Sequence, residues 1–295
     1  MTLQTAVAQG AELLAASGTP EPRLTAELLL CHAVHCERAY LYAHPEQDLR
    51  EVEWIHYGRW LHERMQGKPL QYITRTQEFY GRPFRVTPRV LIPRPETEIL
   101  VETVLRRRPG ARLIVDVGAG SGAIAVTLAL ETQARVVATD ISLQALEVAA
   151  ANAAKLSGRV DFIAADLLNV IADSSVDVVV SNPPYVAVGE RESMQREVRD
   201  WEPHIALFAG DAGLDVYRRL IPEAQRVLRH GGLLALELGF GQADAVKELA
   251  AGWQALEITP DLAGIPRVLS CESAGLGFGP AVGLRPDACD RKIPG

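Results

Sequence analysis

The sequence predicts an α/β chain, with a small helical bundle ahead of a mostly parallel sheet that an antiparallel C-terminal hairpin closes. From Leu113 onward, apolar runs of strand length alternate with helical patterns, which is how a parallel sheet covered on both faces reads. The last two runs, WQALEITPDL and RVLSCES, are joined by AGIP alone, too little chain for a crossover, so they pair antiparallel. Before Gly67 the apolar side chains recur at helical intervals instead.

Taken in order, Leu3, Val7, Leu13 and Leu14 mark a helix over residues 2–17. Pro22 opens a second over 22–36 with Leu24, Leu28, Leu29 and Ala33 on one face, and Pro45 opens a third over 45–66 with Trp54, Ile55, Trp60 and Leu61. Gly67-Lys68-Pro69 breaks the pattern. Phe79, Phe84, Val86, Val90 and Ile92 then stand among Pro and Gly, which suits a short hairpin and connector. In the remainder LIVDVG leads to AIAVTLALE, RVVATD to LQALEVAAANAAK, VDFIAAD to a short segment and VDVVVSNPPY to a long loop. YRRLIPEAQRVLRHGG precedes LLALELG, and QADAVKELAAG precedes the final hairpin. The expected organisation is a helical domain over 1–70, a connector over 71–94, the sheet domain over 95–272 and a tail over 273–295. Residues 275–295 hold five Gly and three Pro without amphipathic period, so the tail is expected to be disordered.

Charge excludes some functions. Thirty Lys and Arg face thirty-seven Asp and Glu over 295 residues, a net of −7, which disfavours any non-specific grip on nucleic acid. The acidity sits in the second part, since residues 1–94 carry eleven basic against ten acidic side chains. No apolar run approaches the ~18 residues that span a bilayer, and no cationic leader precedes the first apolar residues, so a cytoplasmic protein without membrane contact is expected. Cys31, Cys36, Cys271 and Cys289 are too few for a disulfide framework and are expected to be reduced. Cys31 with His35, and His32 with Cys36, stand four apart on a helix. No second ligand pair lies nearby in sequence, so no metal is expected.

Asp116-Val-Gly118-Ala119-Gly120-Ser121-Gly122 sits where a strand turns into a helix, and glycines there permit positive φ and close backbone approach to a ligand. Alone it is weak, since a tight turn needs the same residues. The second strand ends in Asp140, eighteen residues after Gly122, where a carboxylate can accept both hydroxyls of a ribose. The third ends in Asp166, where that side chain, or the amide of Leu167, meets an adenine edge unless Asp166 caps a helix. A Gly-x-Gly-x-Gly turn with an antiparallel last pair of strands suits S-adenosyl-L-methionine better than a dinucleotide.

Ser181-Asn182-Pro183-Pro184-Tyr185 follows the fourth strand. Two prolines extend the backbone and donate nothing, so their carbonyls are free to accept. A planar –NH2 group between the Asn182 side-chain oxygen and the Pro183 carbonyl would have both hydrogens engaged, with Tyr185 over its face. That suits methylation of an amide or aromatic amine, whose delocalised lone pair must be turned toward the methyl donor. Arg94-Pro95-Glu96-Thr97-Glu98 opens the helical pattern EILVETVLRRR. It is read both as a helix start and as a lid over the donor that offers Arg94, Glu96 and Thr97 to the substrate.

Over about residues 1–270 the chain resembles the protein-(glutamine-N5) methyltransferases that modify peptide-chain release factors, of the Rossmann-like class I S-adenosylmethionine-dependent fold. The resemblance rests on Gly67-Lys-Pro-Leu-Gln-Tyr-Ile, Glu78-Phe-Tyr-Gly, Leu91-Ile-Pro-Arg-Pro-Glu-Thr-Glu, the Asp116 glycine turn, Asn182-Pro-Pro-Tyr, Glu202-Pro, Gly213-Leu-Asp, Tyr217-Arg, Glu237-Leu-Gly and Asp261-Leu-Ala-Gly. It implies methylation of the glutamine in the Gly-Gly-Gln tripeptide of release factors. A monomer is expected, with the helical domain as the partner-recognition surface, because a glutamine side chain alone has too few atoms to single out one protein. Pro266, in Ile265-Pro266-Arg267, replaces a usual polar residue, and the tail lies outside the resemblance. Enzymes that methylate a ribosomal-protein glutamine share the Asn-Pro-Pro-Tyr loop but differ near Arg94–Glu98. Adenine-N6 nucleic-acid methyltransferases share it too, but need a basic groove and a recognition domain that this chain lacks.

Overall fold

The computed structural model describes residues 1–274, so most of the expected tail lies outside the described residues. The chain begins with α1 (Leu3–Ala16), α2 (Pro22–Val34), α3 (Arg38–Ala43), α4 (Glu51–Met65) and α5 (Leu70–Thr74). Leu3, Leu14, Leu29, Leu30, Tyr57 and Leu61 form their shared core. Gly10 lets α1 and α4 close together: a Cβ there would fall 2.0 Å from the Tyr57 hydroxyl oxygen, which donates to the Ala6 carbonyl. The third expected helix starts at Glu51, not at Pro45. The Pro45 and Gln47 carbonyls accept from Gln4 and Leu3, satisfying orphan amides of the first turn of α1, and that holds the segment out of helix. Helicity resumes where the Arg50 amide donates to Glu53 Oε2 at 2.8 Å.

The connector holds a hairpin of β1 (Thr76–Phe79) and β2 (Arg82–Arg85), turned by Tyr80 and Gly81, both at positive φ. Phe79 and Phe84 pack edge to face at 6.0 Å and enter the core beside Leu100, Ile114 and Ile124. Burying each contributes ~1.5–3 kcal/mol, so the hairpin is anchored to the sheet rather than to the helical bundle. Asn152 reinforces the anchor, accepting from the Arg85 amide and donating to the Arg85 and Ser121 carbonyls.

The rest comprises α6 (Thr97–Arg107), β3 (Leu113–Val117), α7 (Ala123–Glu131), β4 (Arg135–Asp140), α8 (Leu143–Leu156), β5 (Val160–Ala164), β6 (Val176–Ser181), α9 (Arg196–Trp201), α10 (Asp215–Val227), β7 (Leu228–Glu237), α11 (Ala243–Leu249), β8 (Gln254–Pro260) and β9 (Pro266–Glu272). The seven strands lie in the order β5-β4-β3-β6-β7-β9-β8, with β3 to β7 parallel and β9 antiparallel to both its neighbours. This is the expected mixed α/β sheet. The strand order reverses between β3 and β6, which opens a crevice at their carboxyl ends. Two details differ from expectation. The strand β5 stops at Ala164, after which Leu167 turns the chain at φ +52°, so Asp166 lies in the loop and not at a strand end. The stretch after Tyr185 carries α9 and two 3₁₀ turns, Val188–Ser193 and His204–Ala206, instead of an irregular loop.

Candidate active site

At the crevice, β3 runs into Gly118, Gly120 and Gly122, all at positive φ. Their surroundings separate them. A Cβ on Gly118 would meet no atom within 4 Å, although the residue lines a cavity, so its backbone is open to a ligand. A Cβ on Gly122 would stand 3.1 Å from that of Ala149, so this glycine serves the approach of α7 to α8. Asp140 holds the turn from outside, accepting from the Gly120 amide at 2.9 Å and the Ser142 amide at 2.8 Å. Each carboxylate oxygen keeps a lone pair for a further donor such as a ribose hydroxyl.

The cavity has a volume of about 240 Å³. Gly118, Ala119, Gly120 and Ser121 line it together with Asp140, Asp166 and Leu167 from the β4 and β5 loops, and Asn182 and Pro184 from the β6 loop. Thr97 joins them from the start of α6, while Leu91, Pro93, Pro203 and Ile205 add apolar wall. Gly122, Pro183, Tyr185, Arg94 and Glu96 do not line it. Asp166 pairs with Arg219 at 2.6 Å, and no helix begins after it. Arg94 is engaged by Glu202 at 2.5 Å, and Glu202 also accepts from the Ile92 amide at 3.2 Å. The segment before α6 is thereby tied to the one after α9.

Ser181 stitches β6 to β3 at the exit of the strand, its hydroxyl donating to the Val117 carbonyl at 2.6 Å. Asn182 Nδ2 then donates to Thr97 Oγ1 at 3.2 Å, which turns Oδ1 away from Thr97 and leaves it an acceptor without a competing role. The Tyr185 hydroxyl donates to Glu237 Oε1 at 3.5 Å and its carbonyl accepts from Gln242 at 2.9 Å. A Cβ on Gly213 would sit 2.2 Å from that carbonyl oxygen, so only glycine admits the contact.

Two buried carboxylates were not singled out by spacing. Glu237 is 2% exposed, and burial pushes it up to about 7; Thr97, Arg267 and Tyr185 oppose the shift and Glu96 adds to it. Asp116 is fully buried and pushed by burial to about 8, accepting from the Ala125 amide through Oδ2. The available signal was an acid inside an unbroken apolar run, LLALELG and LIVDVG, where a strand buried on both faces leaves it no water.

The sheet order, with its last strand inserted antiparallel beside β7, defines the class I S-adenosylmethionine-dependent methyltransferases. Solved structures agree on the fold. A methyltransferase from Pyrococcus furiosus superposes with a TM-score of 0.51 at 21% identity, over 67% of this chain and 91% of that one. The T. thermophilus 16S rRNA N2 G1207 methyltransferase gives 0.51 at 20% identity, over 67% of this chain and 49% of that one. Residues 5–74 match the family model described as PrmC N-terminal domain, and residues 95–198 the Methyltransferase small domain. The release factor glutamine methyltransferase of Koribacter versatilis is 47% identical over 91% of this chain and 98% of its own length, and that of Moorella thermoacetica is 44% identical over 90% and 97%. The chain belongs to the release factor glutamine methyltransferases. Its methyl donor is S-adenosyl-L-methionine, and the open backbone at Gly118 beside a carboxylate with spare lone pairs is a donor set that fits a nucleoside.

Proposed function

We propose that this chain methylates the side-chain amide nitrogen, N5, of the glutamine in the Gly-Gly-Gln motif of peptide-chain release factors, in the cytoplasm. Asn182 supports the reading best. Its Nδ2 is occupied by Thr97, so its oxygen is presented as an acceptor on the wall of the cavity that the glycine turn also lines. S-adenosyl-L-methionine, when bound, supplies a methyl group made electrophilic by its sulfonium. Gly118, Ala119, Gly120 and Ser121, with Asp140, Asp166 and Leu167, hold it there.

The substrate amide is planar, and its nitrogen lone pair is delocalised into the carbonyl. Asn182 Oδ1 and the carbonyl of Pro183, which stands between the cavity-lining Asn182 and Pro184 without lining the cavity itself, would accept its two N–H groups, which fixes the plane and turns the lone pair toward the donor. Pro183 and Pro184 have no N–H to fill those acceptors. The charge that develops on nitrogen is met by the two oriented dipoles, and the proton leaves after the methyl has arrived. No general base is needed first. The apolar wall of Leu91, Pro93 and Pro203 limits the water that would otherwise compete for the same acceptors.

The test is incubation of a release factor with this enzyme and the donor, followed by intact mass and peptide mapping. A gain of one methyl confined to the Gly-Gly-Gln glutamine is expected. Label on DNA or on another glutamine-bearing protein, with none on the release factor, would overturn the reading.

A further inference from the structure

The proposed chemistry leaves Glu237 unused, although it is buried against the Tyr185 hydroxyl of the Asn-Pro-Pro-Tyr loop. It ends β7, its peptide carbonyl accepts from the Tyr217 hydroxyl at 2.7 Å, and its Oε1 accepts from the Tyr185 hydroxyl at 3.5 Å. Its Oε2 is buried without a hydrogen-bond partner, and the Thr97 hydroxyl lies near enough to the carboxyl group to draw its proton off. Thr97 Oγ1 in turn accepts from Asn182 Nδ2 at 3.2 Å. A carboxylate held in an apolar strand end costs stability, and a leucine would fill the same space without that cost.

We propose that Glu237 is a positioning residue that acts through Thr97 to set which face of the Asn182 amide the substrate meets. The inference rests on the reading that Asn182 Oδ1 accepts from the substrate amide. A threonine hydroxyl has one hydrogen to give and lone pairs to receive. While Glu237 is ionised it can only accept, so the Thr97 hydroxyl, which receives from Asn182 Nδ2, is free to turn its hydrogen toward the unpartnered Oε2. Asn182 Oδ1 then faces the cavity. Once Glu237 is protonated it becomes a donor. Thr97 then receives from Glu237 and turns its hydrogen to Asn182, which favours the flipped amide and presents an –NH2 group to the substrate. An –NH2 group cannot accept the amide hydrogens.

The groups facing Glu237 are Glu96 ahead of α6, Thr97 at its start, Tyr185 after β6, Tyr217 on α10 and Arg267 on β9. Burial and Glu96 hold the proton on, Arg267 and the hydroxyls draw it off, and the balance falls at about 7. Methylation is therefore expected to rise with pH through neutrality.

The experiment measures kcat, KM and donor affinity on intact release factor from pH ~6 to ~9 for the wild type, Glu237→Gln, Thr97→Val and the double variant. Each single variant is expected to lower kcat roughly tenfold, to keep donor affinity within about twofold and to lose the inflection near neutrality. The double variant is expected to be no worse than the singles, because both act on one chain of contacts. Wild-type kcat with the inflection intact in Glu237→Gln overturns the proposal, as does full additivity. If Glu237→Gln does not fold, Thr97→Val decides by the same criteria. Asn182→Ala is run alongside. Full turnover in it removes the underlying role of Asn182 and this inference with it, whereas an inactive Asn182→Ala beside an unaltered Glu237→Gln removes the inference alone.

Discussion

Asp140 does two things with one carboxylate: it cinches the glycine turn and the start of α8, and it leaves lone pairs facing the cavity. In Asp140→Ala, both backbone amides lose their acceptor while the donor loses two charge-assisted bonds. Donor affinity is expected to fall by about 2–4 kcal/mol in calorimetry; an unchanged affinity would take Asp140 out of the site. Asp116, two positions before the turn, is held neutral instead. Its folded pKa lies near 8, raised first by burial and then by the Asp140 charge, against 3.8 for the unexposed-to-perturbation group. The unfolded chain therefore releases a proton that the folded chain keeps. The stability this group contributes is complete below pH ~4 and is lost as pH rises toward ~8. Asparagine has the same shape, can still accept from Ala125 and does not titrate. The melting temperature of Asp116→Asn relative to wild type should thus climb across that interval, and two parallel curves would show that Asp116 is not neutral in the fold.

Among elements, the crossing of α7 and α8 is constrained at Gly122. Replacing that glycine by alanine forces a side chain into positive φ and sets its Cβ 3.1 Å from that of Ala149. A loss of ~1–3 kcal/mol in denaturant unfolding is expected. Gly118→Ala carries the backbone strain without the clash, so it should lose less stability and more donor affinity; equal behaviour of the two would mean the contact with Ala149 is relieved for free. The two glycines read alike in the sequence, because Gly-x-Gly-x-Gly records a backbone requirement and not what lies opposite. Strands were legible for the opposite reason: LIVDVG, RVVATD and VDVVVS carry consecutive apolar residues rather than alternating ones, since both faces are covered. Pro45 misled because a proline opens a helix only when nothing else claims the carbonyls around it, and here α1 claims them. Asn182 and the glycine turn were visible as motifs, whereas Glu237 and its link through Thr97 join residues 140 apart in sequence and exist only once β7 lies beside β6.

At the scale of the whole molecule, the helical part and the site are joined by a short mechanical route. Arg64 on α4 pairs with Glu197 on α9 at 2.9 Å and donates to the Lys68 carbonyl at 3.1 Å. Lys68 lies over the Trp201 ring at 5.9 Å, and the next residues, Glu202 and Pro203, fix Arg94 and wall the cavity. The residues proposed to hold the donor all lie beyond this route, in the loops at the carboxyl ends of the sheet strands, so donor binding is not expected to need the helices. We propose that recognition of the protein partner does. A glutamine side chain has too few atoms to single out one partner, and the remaining affinity must come from surface remote from the reacting nitrogen. The helical part, near neutral ahead of an acidic sheet domain, offers that surface. A chain beginning at Lys68 keeps the hairpin whose Phe79 and Phe84 belong to the sheet core, which makes it the right truncation. Provided circular dichroism and donor binding show that it folds, it should methylate intact release factor at least roughly tenfold more slowly than the full chain, while the already slow methylation of a short Gly-Gly-Gln peptide changes much less. Equal rates on intact release factor would assign recognition to the sheet domain; equal losses on protein and peptide would assign the helices to support of the α9 wall.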